Sequence, residues 1–103
     1  MKYEIELKED AIIVNLTGYI MGDGVKTFLD GIMDELRPSI DSRKIIFDFK
    51  YVYIIDSAFL SLLIDVRKNI LGCDIALCNL NQKLKTIFKF TRLDKVFSVE
   101  ETR

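Results

Sequence analysis

The sequence contains no histidine. Ser-His-Asp and Cys-His catalysis are therefore excluded within this chain, because both need an imidazole base. Cysteine is scarce: only Cys73 and Cys78 occur. They stand an odd number of residues apart on one expected strand, so their side chains point to opposite faces. They should not bridge to each other within that strand. Two thiols without histidine make a poor zinc site. Both read as reduced, core-type cysteines of a cytoplasmic protein. Excess charge is missing too. Lys plus Arg is 15 and Asp plus Glu is 16, a net charge of -1. That balance gives no general pull toward nucleic acid or an anionic membrane. No apolar run approaches the ~20 residues that a membrane span needs. No basic N-region followed by an apolar stretch marks an export signal. Gly18, Gly22 and Gly24 match neither a Walker nor a dinucleotide pattern. No cofactor is expected.

What the chain does have is apolar residues in order. Half of its 103 residues are hydrophobic, enough for the core of one compact domain and too few for two. Tyr3, Ile5 and Leu7 alternate with Glu4, Glu6 and Lys8, the pattern of a half-exposed strand. Glu9-Asp10 forms a turn. Ala11 to Thr17 is a second strand, the hairpin partner of the first. Gly18 is expected to end it, leaving Tyr19 to Gly24 as a loop. Val25, Phe28, Leu29, Ile32, Met33 and Leu36 then mark the face of an amphipathic helix. Pro38 opposes its continuation.

Lys44 to Phe49 is a near-continuous apolar strand, as for one covered on both faces. Tyr51 to Ile55 either extends it or forms a tight connection. Ser57 to Leu71 is the second helix, with Phe59, Leu63, Val66 and Ile70 on one face and Gly72 suited to its end. Cys73 to Leu80 is the next strand. Asn81 caps a third helix over Gln82 to Phe90, with Leu84, Ile87 and Phe88 inward. Its Lys83, Lys85 and Lys89 fit either a solvated face or an acidic partner. Val96 to Val99 is a last strand, followed by too few residues for another helix. The order β-β-α-β-α-β-α-β implies parallel neighbours joined by right-handed crossovers. It predicts an α/β fold, one mixed sheet with its helices mainly on one face.

The stretch that organises the chain is Ile54-Ile55-Asp56-Ser57-Ala58-Phe59-Leu60. Asp and Ser favour helix N-caps, since their oxygens accept from free N–H groups of the first turn. Ser57 should sit where a strand meets a helix. Sites in open α/β sheets collect at such carboxyl ends. Ser57 reads either as a simple cap or as a functional serine.

FDFKYVYIIDSAFLSLLI resembles the central signature of the STAS domain, found in anti-sigma factor antagonists and at the ends of sulfate transporters. The usual pattern is an apolar strand ending in Asp, a short connection, then Asp-Ser-small-Gly-Leu opening a helix. LCNLNQKLKTIFKFTRLDKVFSV resembles the family's later strand, helix and closing leucine-Asp segment. The resemblance covers nearly the whole chain and implies one STAS domain over residues 1–103. Three positions depart from the pattern. Phe59 replaces the family's glycine, Ala58 follows the serine, and Met21 stands where many members have Asp.

The resemblance implies a switch without chemistry of its own. In such antagonists the motif serine is phosphorylated by an anti-sigma factor that is also a serine kinase of the histidine-kinase-like ATPase type. The unphosphorylated form binds that kinase and frees the sigma factor, and a serine phosphatase resets the cycle. Ser57 is the matching acceptor. Asp56, Ser57, Ala58, Ser61, Ile64, Lys68, Met21 and Asp23 are the expected partner-binding residues. No direct nucleic-acid contact and no membrane span are expected. The alternative is a STAS-like scaffold that binds partners or self-associates without phosphorylation. An enzyme is the third class, with Asp48 and Asp56 its only paired acids. Asp48 reads better as a structural carboxylate that bonds loop N–H groups at a strand end.

Overall fold

The computed structural model describes residues 1–39, 43–70 and 74–101. Lys2–Leu7 (β1) and Ala11–Ile20 (β2) pair antiparallel, with Leu7 opposite Ile12 and Lys2 opposite Thr17. Val25–Leu36 (α1) leads to Lys44–Ile55 (β3), which lies parallel to β2. Ser57–Asn69 (α2), Ile75–Cys78 (β4), Gln82–Phe90 (α3) and Ser98–Glu100 (β5) complete the order. Both last strands pair parallel, giving a five-stranded sheet β1-β2-β3-β4-β5. This is the mixed α/β sheet that the element order predicts.

All three helices share one core with one sheet face. Leu29 and Ile32 of α1, Phe59 and Leu63 of α2, and Leu84 and Phe88 of α3 join Ile12, Val14, Ile45, Phe47 and Leu77. The other face carries only a small cluster, Ile13, Ile46, Ala76 and Cys78, without a helical residue. There the Lys44 ammonium of β3 pairs with Glu100 of β5, across the small side chains of β4. Cys78 is a buried free thiol; Cys73, Leu71 and Gly72 lie outside the described residues.

Several boundaries differ from the sequence reading. Gly18 does not end β2. Its φ of +105° suits glycine, and the strand runs on to Ile20. Tyr51 to Ile55 extends β3. The register against β2 shifts twice, between Asn15 and Thr17 and between Gly18 and Tyr19. Each shift adds one residue to β3, as a β-bulge does. Asp48 therefore stands inside the strand rather than at its end. Its Oδ1 accepts from the Lys50 N–H at 2.9 Å and from Asn79 Nδ2 at 3.0 Å. It is a buried structural carboxylate serving a bulge. Helix α2 stops at Asn69, and Ile70 has left the helical region. The last strand starts late, because the Val96 and Phe97 N–H groups donate to the Leu93 carbonyl and close a 3₁₀ turn over Leu93–Lys95. Among the described residues, no helix is long and apolar enough to cross a membrane.

Candidate functional site

The strand-to-helix junction after β3 is built by Asp56. It has extended φ/ψ and is the N-cap of α2. Its Oδ1 accepts from the Phe59 N–H at 3.0 Å. Its Oδ2 accepts from the Gly22 N–H at 2.9 Å, in the loop between β2 and α1. Ser57 is thus the first helical residue and not the cap. Its side chain is exposed and makes no hydrogen bond among the described residues. The cap reading of Ser57 is corrected for a simple reason: Asp56 already supplies the acceptor that the first turn needs.

Gly22 takes φ +92°, which turns its N–H onto the carboxylate. The bonds from Gly22 and then Phe59 hold the Asp56 carboxyl below the ordinary carboxylate range. A depressed folded-state pKa stabilises the fold at neutral pH. That contribution fades as pH falls through about 4 and below. Asp56→Ala should therefore cost about 1–2 kcal/mol at pH 7, the range for lost caps. The gap between parent and variant should narrow as the solution is acidified. Urea titrations at pH 7 and pH 3 check this, and an equal gap at both would contradict the assignment.

The loop residues Met21 and Asp23 flank Gly22, so this bond brings them beside the start of α2. Both are exposed. Ala58, Ser61 and Lys68 are exposed on α2, while Ile64 is half-buried and packs against the main core. Ser57, Ser61, Ile64 and Lys68 follow one strip of the helix. Lys68 lies some 16 Å along the axis from Ser57. Phe59 is 0% exposed and points away from this strip. It meets Phe49 edge to face, with centroids 6.0 Å apart. The residue in the family's glycine position is thus core and does not crowd the serine.

The sequence reading missed an aromatic pair. Tyr19 and Tyr53 lie with ring centroids 5.3 Å apart and are 62% and 61% exposed. They end β2 and β3 next to the Asp56 junction. Tyr19 had been assigned to a loop, and the bulges in β3 hid the alternation that turns Tyr53 outward. Among the described residues, no cluster of three or more His, Cys, Asp or Glu is placed to hold a metal.

The sequence profile of the STAS domain family matches residues 2–103. Three solved structures show similarity at the level of fold. A Thermotoga maritima protein assigned as an anti-sigma factor antagonist is 22% identical. Its TM-score is 0.87, over 97% of this chain and 86% of that one. An anti-sigma factor antagonist from Mycobacterium paratuberculosis is 17% identical, with a TM-score of 0.79 over 98% and 86% of the two chains. The Bacillus cell-fate determinant SpoIIAA, in its phosphorylated form, is 17% identical, with a TM-score of 0.66 over 96% and 91%. With the profile spanning nearly its whole length, the chain belongs to the STAS domain family.

Proposed function

We propose that this chain is an anti-sigma factor antagonist, a phosphorylation-controlled binding switch contained in one domain over residues 1–103. It sequesters an anti-sigma factor that is also a serine kinase of the histidine-kinase-like ATPase type, and so frees a sigma factor. Ser57 is the phospho-acceptor, and a serine phosphatase restores it. Asp56, Ala58, Ser61, Ile64, Lys68, Met21 and Asp23 form the surface that meets the kinase. The cytoplasm is the compartment this role requires.

The observation that carries the reading is the division of labour at the junction. Asp56 caps the helix, which leaves the Ser57 hydroxyl exposed and without an internal bond. The similarity to SpoIIAA, a protein known in phosphorylated and unphosphorylated forms, supports it. A phosphate there would add about -1.5 to -2 charges at neutral pH. The fold tolerates it, because a helix N-terminus favours anions. A dry protein interface does not, unless the charge is paired. Modification thus abolishes binding without unfolding the domain.

The test is capture of partners from the native host on the immobilised protein, followed by incubation with the captured kinase and ATP. Mass spectrometry should place phosphate on Ser57. Phosphate solely on Thr17, Ser61 or Thr86 would refute the assignment. Captured partners that include no such kinase would favour the unphosphorylated scaffold instead.

A further inference from the structure

Helix α3 and the turn after it hold an unusual share of the positive charge. From Asn81 to Val96 there are five cationic side chains, Lys83, Lys85, Lys89, Arg92 and Lys95, and one anionic, Asp94. The chain as a whole has net charge -1, so its positive pole is local. This segment borders a groove of about 610 Å³ between α3 and β5. Lys85, Lys89 and Lys95 edge it, and Phe88, Val96 and Val99 supply its apolar lining. Val96 and Val99 remain 39% and 41% exposed. On the other flank of α3, Lys85 and Lys89 border a second concavity with Phe90, which is 89% exposed. A phenylalanine this open is at odds with burial as its role. Among the described residues, Lys89, Arg92 and Lys95 have no ion-pair partner. Lys85 has only Glu101, at 3.3 Å, and that carboxylate is 84% exposed. Such a surface pair contributes little and is easily exchanged.

We propose that this face is a second docking surface, which takes an acidic amphipathic segment of a partner protein. The partner's apolar side chains fill the groove over Val96 and Val99 and cover Phe90. Its carboxylates meet Lys85, Lys89 and Lys95, whose methylene stems extend the apolar wall. The shape and charge select this occupant over a phosphate-rich surface. The site is concave, whereas a membrane surface is broad and flat. Asp94 and Glu101 stand within the lining and repel densely spaced phosphates. A helix offering one or two carboxylates per turn can avoid them. The surface uses none of the elements that hold Ser57, so the inference stands apart from the phosphorylation reading.

The probe is a synthetic helix of about five turns with leucine along one face and glutamate on the other. Its control carries lysine in place of glutamate. Fluorescence anisotropy should show saturable binding of the glutamate peptide only, weakened by added salt. Amide shifts should concentrate on α3, the Leu93–Lys95 turn and β5. Lys89→Glu combined with Phe90→Ser should weaken binding about tenfold or more. Both residues are exposed, and a melting curve matching the parent confirms that the variant folds. Ser57→Asp should leave this affinity unchanged. Equal binding of both peptides overturns the proposal, as does absence of saturable binding at about 0.1 mM, where even a weak docking contact registers. Preferential binding of phosphatidylserine vesicles overturns it in favour of a membrane surface.

Discussion

Phe59→Gly is expected to be the most damaging single substitution at the junction, costing about 3 kcal/mol or more from lost packing. Glycine in a helix adds up to about 1 kcal/mol. The size follows from its position. Phe59 is fully buried and packs edge to face on Phe49. Phe49 in turn meets Phe88 of α3, with centroids 6.1 Å apart. The three rings tie two helices to the middle strand, so removing one leaves a cavity at the centre of the core. At about 4–8 °C per kcal/mol for a domain of this size, the melting midpoint should fall by more than roughly 12 °C. Phe59→Leu keeps most of the apolar volume and should recover about half of the loss. Thermal melts of the three proteins decide the matter. A glycine variant that melts within a few degrees of the parent would show that Phe59 is not the core anchor described above.

Ser57→Asp should have the opposite profile. The side chain is exposed at the first position of α2, where the helix dipole favours negative charge. The melting midpoint should stay within about 2 °C of the parent, as for most surface substitutions. Binding to the anti-sigma kinase should weaken by about 2 kcal/mol or more, roughly 30-fold, because the interface would bury an unpaired carboxylate. Ser57→Ala separates charge from shape. It should keep the affinity but accept no phosphate. Calorimetric titration against the kinase, with melting curves in parallel, checks both variants. Loss of folding in the aspartate variant would show that Ser57 is mainly structural. An unchanged affinity would place the interface elsewhere.

The helices were the most legible part of the sequence. Val25–Leu36 and Gln82–Phe90 agree with their apolar periodicity residue for residue, since a 3.6-residue repeat over several turns is a strong signal. Asn81 was identified as a cap because its side chain has a single short-range task; it accepts from the Leu84 N–H at 2.8 Å. The upper half of β3 was not legible. Its core residues run Phe47, Phe49, Val52 and Ile55, spaced by two and then by three. Two bulges cause the change, and a bulge depends on the partner strand rather than on local sequence. The same shift concealed Tyr53. The site was half legible. Asp-Ser before a helical pattern located the junction, but both residues favour caps. Only the geometry separates the residue that caps from the one left exposed. The Gly22 bond to Asp56 joins residues far apart in the chain, and nothing local announces it.

That bond bears on how fast and how tightly a partner can dock. A free loop must be ordered when a complex forms, and the lost freedom is subtracted from the affinity. Here one carboxylate grips the helix start with one oxygen and the β2–α1 loop with the other. Met21, Asp23 and Ser57 are therefore held in register before any encounter. The partner meets a rigid surface, and association needs no folding step. Cutting the tether through Asp56→Ala would leave every contact residue in place, yet make recognition entropically dearer.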